Sequence, residues 1–198
     1  MSDFNFLDPF QNFTIPLGSW VETALKYLVH NFREVFRSIR WPVDQVLDGV
    51  QWGLLSVPPV VFIIVAGLIS WQIGGKRIGI FSVATLTGLG LIGVWNDSMV
   101  TLALVLTSLL FCAVIGIPLG ILCARSDLTE MIVRPVLDAM QTLPAFVYLV
   151  PVVMLFGIGN VPGVIVTIIF SVAPLVRLTN LGIRQVPADK VEAARAFG

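Results

Sequence analysis

The sequence predicts an all-α fold: a polytopic membrane helical bundle preceded by an N-terminal amphipathic helical tail. Three observations carry that expectation. The 198 residues are 57% hydrophobic and only 12% charged, whereas a soluble domain carries about 25% charged residues. The charges are also gathered so that four long stretches, 49–75, 78–96, 98–124 and 139–176, contain none. Ahead of the first stretch, apolar and charged residues alternate at helical spacing.

One charge at a helix centre costs about 2.5–3.5 kcal/mol on insertion scales, so each charge-free stretch is a candidate span, and a span needs about 20 apolar residues. The first three stretches hold one each, over about 54–73, 78–95 and 99–123. The fourth is too long for a single helix and carries the turn-forming GIGNVPG, Gly157 to Gly163, near its middle. It reads as two short helices, about 143–157 and 162–177, marked by Pro144, Pro151, Pro162 and Pro174. Interrupted segments of this kind are tolerated where neighbouring helices or a cavity satisfy the backbone, and in transporters they often lie near the substrate path. Proline kinks serving packing alone are the alternative.

Five spans across 54–178 place successive loops on alternate faces. One face receives Lys76 and Arg77, then Arg125 and Arg134, then Arg177, Arg184, Lys190 and Arg195; the other receives Asp97 and the uncharged 157–163 turn. Basic loops stay in the cytoplasm, which puts the N-terminal tail on the outer face of the membrane. The tail, 1–53, does hold Lys26, Arg33, Arg37 and Arg40, but six acidic residues accompany them. The opening MSDFNFLDPF has neither a basic n-region nor an apolar h-region, so no cleavable signal peptide is expected there.

Within the tail, Val21, Leu25, Leu28, Val29, Phe32, Val35, Phe36 and Ile39 fall on one helical face, with Lys26, Arg33, Glu34 and Arg37 on the other. Pro42 suits the first turn of a second helix with the stripe Val43, Val46, Leu47 and Val50. Such helices lie on the bilayer surface or pack against partner subunits. Between the third and fourth spans, Asp127 followed by Glu130 reads as a capping pattern opening an interfacial helix. Over 179–198, Pro187 suits a helix start, 188–196 propagate well and Gly198 supplies a stop.

Net charge is zero, which leaves no basic patch for a nucleic-acid partner. Cys112 and Cys123 stand apart from each other and from any His; both are expected in the lipid or in helix packing, so no metal or other cofactor is expected. The sole histidine, His30, lies in the tail, there is no HExxH, and no span contains an ionisable group. An enzyme is therefore not expected. Gly88-Leu-Gly-Leu-Ile-Gly93 matches a dinucleotide fingerprint but lies inside a span, which makes helix packing the reading. Gly116 and Gly120 form a G-x-x-x-G, a plausible close-packing site. Asn12-Phe-Thr14 and Asn96-Asp-Ser98 match glycosylation sequons, a pattern too short to carry weight here.

Glu192-Ala193-Ala194-Arg195-Ala196-Phe197-Gly198 resembles the opening half of the cytoplasmic EAA motif of ABC importer membrane subunits. Longer stretches, FNFLDPF, WNDSMVTLALVLTSLLFCAVIGIPLGI, RPVLDAMQTLPAFVYLVPVVMLFGIGNVPGVIVTIIF and LGIRQVPADKVEAARAFG, are similar to the permease subunits of the glycine betaine/proline ABC importer family, over nearly the whole chain. The resemblance implies a type I ABC importer permease-like bundle in an ATP-driven importer of osmoprotectants. It also implies a periplasmic substrate-binding protein, a separate ATP-binding subunit and a second copy of the permease as partners in the lipid bilayer. Glu192, Ala193, Ala194 and Gly198 would then belong to the coupling loop that docks on the ATPase. The family's motif continues past the Gly to Ile-x-Leu-Pro and about two further spans, whereas this chain stops at Gly198, so a fragment or truncated product is expected.

A quaternary ammonium cargo is attracted to aromatic faces. Phe146 and Tyr148 in the fourth span, Gln141 and Thr142 at its entrance and Asn160 in the outer turn are the candidate pathway residues; anchoring at the interface is the competing role for the aromatics. Choline, carnitine or an amino acid are alternative cargoes, and a non-transporting membrane module is the alternative function.

Overall fold

The computed structural model describes residues 17–197. In chain order the helices are α1 (Leu17–Asn31), α2 (Arg33–Ser56), α3 (Pro59–Gly74), α4 (Lys76–Ile92), α5 (Trp95–Arg125), α6 (Asp127–Thr142), α7 (Ala145–Phe156), α8 (Asn160–Arg184) and α9 (Ala188–Ala196). No strand occurs among the described residues. Two helices, α5 and α8, are long and apolar enough to cross a membrane singly; the pairs α2/α3 and α6/α7, bent by 97° and 99°, raise the number to as many as four.

The core is the parallel pair α5 and α8. Ser108 donates to the carbonyl of Val164 at 3.4 Å, and the Cys112 thiol lies 3.7 Å from the carbonyl of Ile168. Four residues further on, Gly116 meets Val172 and Leu175, and Gly120 meets Val176 and Thr179. Small residues every fourth position thus form a ladder along α5, which lets the two backbones approach closely. The G-x-x-x-G pair does close-pack, as expected, and both cysteines are buried in this packing rather than facing lipid. The α2 face that carries Val43 and Leu47 closes the other side against Ala103, Val161 and Val164. This half of α2 therefore packs inside its own chain instead of lying on a surface.

The helices α3 and α4 form a hairpin turned at Gly75, whose φ of +82° suits glycine. Close contact comes from Gly67, where a Cβ would strike Val83, and from Gly79, where one would sit 2.8 Å from the Cβ of Trp71. The expectation that the Gly88–Gly93 run packs helices is corrected: nothing lies within 4 Å of a Cβ on Gly88, and Gly93 is the left-handed cap that ends α4.

Several bounds also move. The helix expected over 54–73 instead begins at Pro59, because Pro58 disfavours helical backbone at Val57, which is extended. The tail breaks at Phe32 rather than at Pro42, which sits inside α2; the Asn31 amide donates to the Tyr27 carbonyl at 3.0 Å and competes for the helical acceptor there. The helix expected over 78–95 runs Lys76–Ile92, and that over 99–123 runs Trp95–Arg125, with Asp97 in a first turn that favours an acid.

Asn160, Pro162 and Gly163, read as turn residues, lie in the first turn of α8, and that helix passes the expected end at 177 to reach Arg184. The N-cap of α6 is Ser126, whose hydroxyl accepts from the Thr129 N–H at 3.3 Å, so the Asp127–Glu130 capping box is corrected to two acids inside the first turn.

Candidate functional site

At the far ends of α5 and α8, charged side chains tie three helices together. The Arg184 guanidinium on α8 donates to the Cys123 carbonyl at 2.9 Å, to Asp127 at 2.7 Å and, through Nε, to Asn180 at 2.8 Å. Glu130 stands 3.1 Å away. One residue thereby satisfies an orphan carbonyl in the last turn of α5 and pairs with both acids of the first turn of α6. Two turns earlier on α8, Arg177 pairs with Asp138 of α6. Between these pairs opens a groove of about 310 Å³ lined by Cys123, Glu130, Arg134, Asn180 and apolar neighbours.

From this junction the chain runs directly into α9. Pro187 stands at its N-cap position, as the sequence suggests. Glu192, Ala193 and Ala194 are all exposed, Phe197 is 94% exposed, and α9 packs against no other helix of the described chain. Gly198 lies outside the described residues.

Residues 116–198 match the family of binding-protein-dependent transport system inner membrane components. The chain is 60% identical over 195 residues to the glycine betaine/proline betaine transport system permease protein ProW of Escherichia coli, covering 98% of this chain and 55% of that protein. It is 47% identical over 189 residues to the glycine betaine/carnitine transport permease protein GbuB of Listeria monocytogenes, covering 93% of this chain and 67% of that one. The chain belongs to the binding-protein-dependent inner membrane component family. Its all-α, multi-pass membrane fold is that of a type I ABC permease. The chain spans about half the length of the Escherichia coli and Salmonella typhimurium relatives, 55% in each case.

Within this inner membrane component, Asn160 stands apart from the other four candidate pathway residues, which flank the bend between α6 and α7. Gln141 and Thr142 end α6, Phe146 and Tyr148 lie on α7, and Asn160 opens α8 beyond the far end of α7. The twelve residues of α7 alone span about 18 Å. Phe146 is 80% exposed. Tyr148 is half-buried and occupied: its hydroxyl donates to the carbonyl of Met140 and lies 2.6 Å from that of Leu143. Pro144 has no N–H to offer Met140, so the tyrosine closes the end of α6 across the 99° bend. Tyr148→Phe is expected to cost about 1 kcal/mol of stability, read as a lower melting temperature in detergent.

Sequence reading missed Arg184 and its acids as a unit. The available signal was Asp127 and Glu130 at (i, i+3) on α6, with an arginine near the end of the later helix; nothing local shows that the helices meet.

Proposed function

We propose that the chain is the membrane-spanning permease part of an ATP-driven importer of glycine betaine or proline betaine-type osmoprotectants. It works with a separate ATP-binding subunit, a periplasmic substrate-binding protein and a second permease copy. The observation that carries this reading is the 60% identity to a glycine betaine/proline betaine permease along 98% of the chain. Carnitine is the second cargo, favoured by the 47% identity to the Listeria glycine betaine/carnitine permease.

In this reading α9 is the coupling helix, with Glu192, Ala193 and Ala194 facing the ATP-binding subunit and Gly198 closing the opening half of the motif. Arg40 supports the topology: it bonds the Phe156 carbonyl at 2.7 Å, at the end of the bundle where α8 begins. Arg184 lies at the other end of that 25-residue helix, about 37 Å away. If α9 is cytoplasmic, α1 and the first half of α2 are periplasmic, and α3, α4, α5, α7 and α8 are the five spans. Phe146 is the exposed aromatic of the five pathway residues, and Tyr148 acts on the pathway through its ring, its hydroxyl being engaged.

Uptake of radiolabelled glycine betaine is the test, in cells lacking their own betaine permeases and supplied with this chain and cognate ATP-binding and substrate-binding subunits. Uptake dependent on this chain, with co-purification of the ATP-binding subunit, is the expected result; neither uptake nor co-purification would overturn the reading. Tyr148→Ala should lower uptake while Tyr148→Phe should not, and unchanged uptake in both removes Tyr148 from the pathway.

A further inference from the structure

The short helix α7 is held at both ends by side chains rather than by its own backbone. Its 12 residues span about 18 Å, less than the roughly 30 Å of a bilayer core, and Pro151 inside it has no N–H to give the Val147 carbonyl. At its start, the Tyr148 hydroxyl closes the 99° bend from α6. At its end, the chain passes through Gly157 and Gly159, at φ of +85° and +140°, with Ile158 90% exposed between them. Glycines in such conformations give a connector little stiffness of its own, so the outer end of α7 takes its position from another helix.

Arg40 of α2 makes that contact. Its Nη1 donates at 2.7 Å to the Phe156 carbonyl, one of the last-turn oxygens that α7 cannot satisfy itself. Its Nε donates to Asp44 at 3.0 Å, one turn further along α2, which fixes the plane of the guanidinium. Three residues after Arg40, α2 enters the core, where Val43 and Leu47 are buried with Ala103, Val161 and Val164. The arginine therefore projects from an anchored helix. The fit is close: a Cβ on Gly157 would lie 3.0 Å from Nη1, and Phe36, one turn earlier on α2, meets the Phe156 ring edge-on at 5.4 Å. Among the described residues, α1 packs only on α7 and on its neighbour α2.

We infer that Arg40 is a positioning residue for transport: it pins the outer end of α7 to the anchored half of α2, and α1 rides on the segment so pinned. The pin rests on the geometry above; its consequence for transport rests on the importer reading. Helix α7 connects the bend after α6 to the start of α8, whose far end carries Arg184. With its outer end loose, α7 shifts without α8 following. Motion delivered by an ATP-binding subunit then moves the inner ends of these helices without moving the outer ones.

Hydrogen–deuterium exchange on the purified full chain tests the pin. R40Q is expected to raise amide exchange several-fold in 152–158 and in α1, while the α5–α8 seam, whose contacts are untouched, keeps its protection. D44N keeps the guanidinium but frees it; it should raise exchange in the same segments by less, and it serves where R40Q does not fold. R33Q removes the same charge from the same helix without touching Phe156 and should change neither segment. Unchanged exchange in 152–158, an equal rise in R33Q, or an equal rise along α5 and α8 overturns the pin. In the importer assembled with cognate subunits in vesicles, glycine betaine taken up per ATP hydrolysed should fall several-fold in R40Q, a ratio that loss of folded protein alone does not move. A wild-type ratio overturns the positioning role. Absence of uptake by the unmodified chain counts against the importer reading instead, and the exchange measurement still decides the pin.

Discussion

Gly120→Leu is expected to prevent α5 and α8 from packing, so that the chain inserts but yields little monodisperse protein on solubilisation. A Cβ at this position would sit 2.6 Å from the Cβ of Thr179, 2.8 Å from its Cγ2 and 3.0 Å from the carbonyl oxygen of Val176. The first two belong to a short branched side chain with little freedom, and the third is backbone. Overpacking where side chains can shift costs about 1–3 kcal/mol; here a helix must move, and leucine adds three more carbons, so about 3 kcal/mol or more is expected from that same range. That is a large share of the roughly 5–15 kcal/mol that holds a folded protein together.

Two controls fix the cause. Gly116→Ala meets only side chains, the Leu175 Cδ2 at 3.0 Å and the Val172 Cγ2 at 3.3 Å, and should lower the melting temperature far less. Gly88→Ala meets nothing within 4 Å and should be neutral or stabilising by up to about 1 kcal/mol, since alanine is the better helix residue. A Gly120→Leu chain that melts with the unmodified protein would refute the close-packing role of this ladder.

The contrast among these glycines shows where the sequence was readable. Gly116 and Gly120 announced themselves because they recur at helical spacing inside a long apolar run, and periodicity is a local property. Gly67 and Gly79 did not, because their closeness depends on how α3 folds back on α4, a distance set by the turn at Gly75. Charge-free stretches located the apolar helices, but their ends were set by partners distant in sequence. Arg177 looked like a terminus and is not one, because Asp138 receives it and Arg184 supplies the next anchor. The helix over Ala188–Ala196 was legible from its alanines and the proline before it. The junction that braces it was not, since Cys123, Asp127 and Arg184 are brought together only by the parallel register of α5 and α8. Tyr148 is a similar case: its aromatic ring suggested cargo, while its hydroxyl completes the backbone left short by Pro144.

Arg184→Ala is expected to separate folding from coupling. Its guanidinium links the end of α5, the start of α6 and Asn180 of α8, and α9 begins at Ala188, four residues later. The side chain is 36% exposed, so solvent screening discounts the ion pairs and the loss of stability is small beside that of a buried charged pair. The bundle should therefore fold and reach the membrane. What it loses is the brace that makes the end of α8, the end of α5 and the start of α6 move together. If α9 carries motion from an ATP-binding subunit, that motion then enters a joint free to flex. Uptake should fall several-fold while ATP hydrolysis by the partner continues. Lysine should not restore it, because one ammonium cannot hold the Cys123 carbonyl, Asp127 and Asn180 in the geometry of the guanidinium fork. Asp127→Ala, which leaves Glu130 at 3.1 Å, should cost less than Arg184→Ala. Wild-type uptake in Arg184→Ala would show that α9 acts without this brace, and parallel losses of uptake and of folded protein would reduce Arg184 to a structural residue.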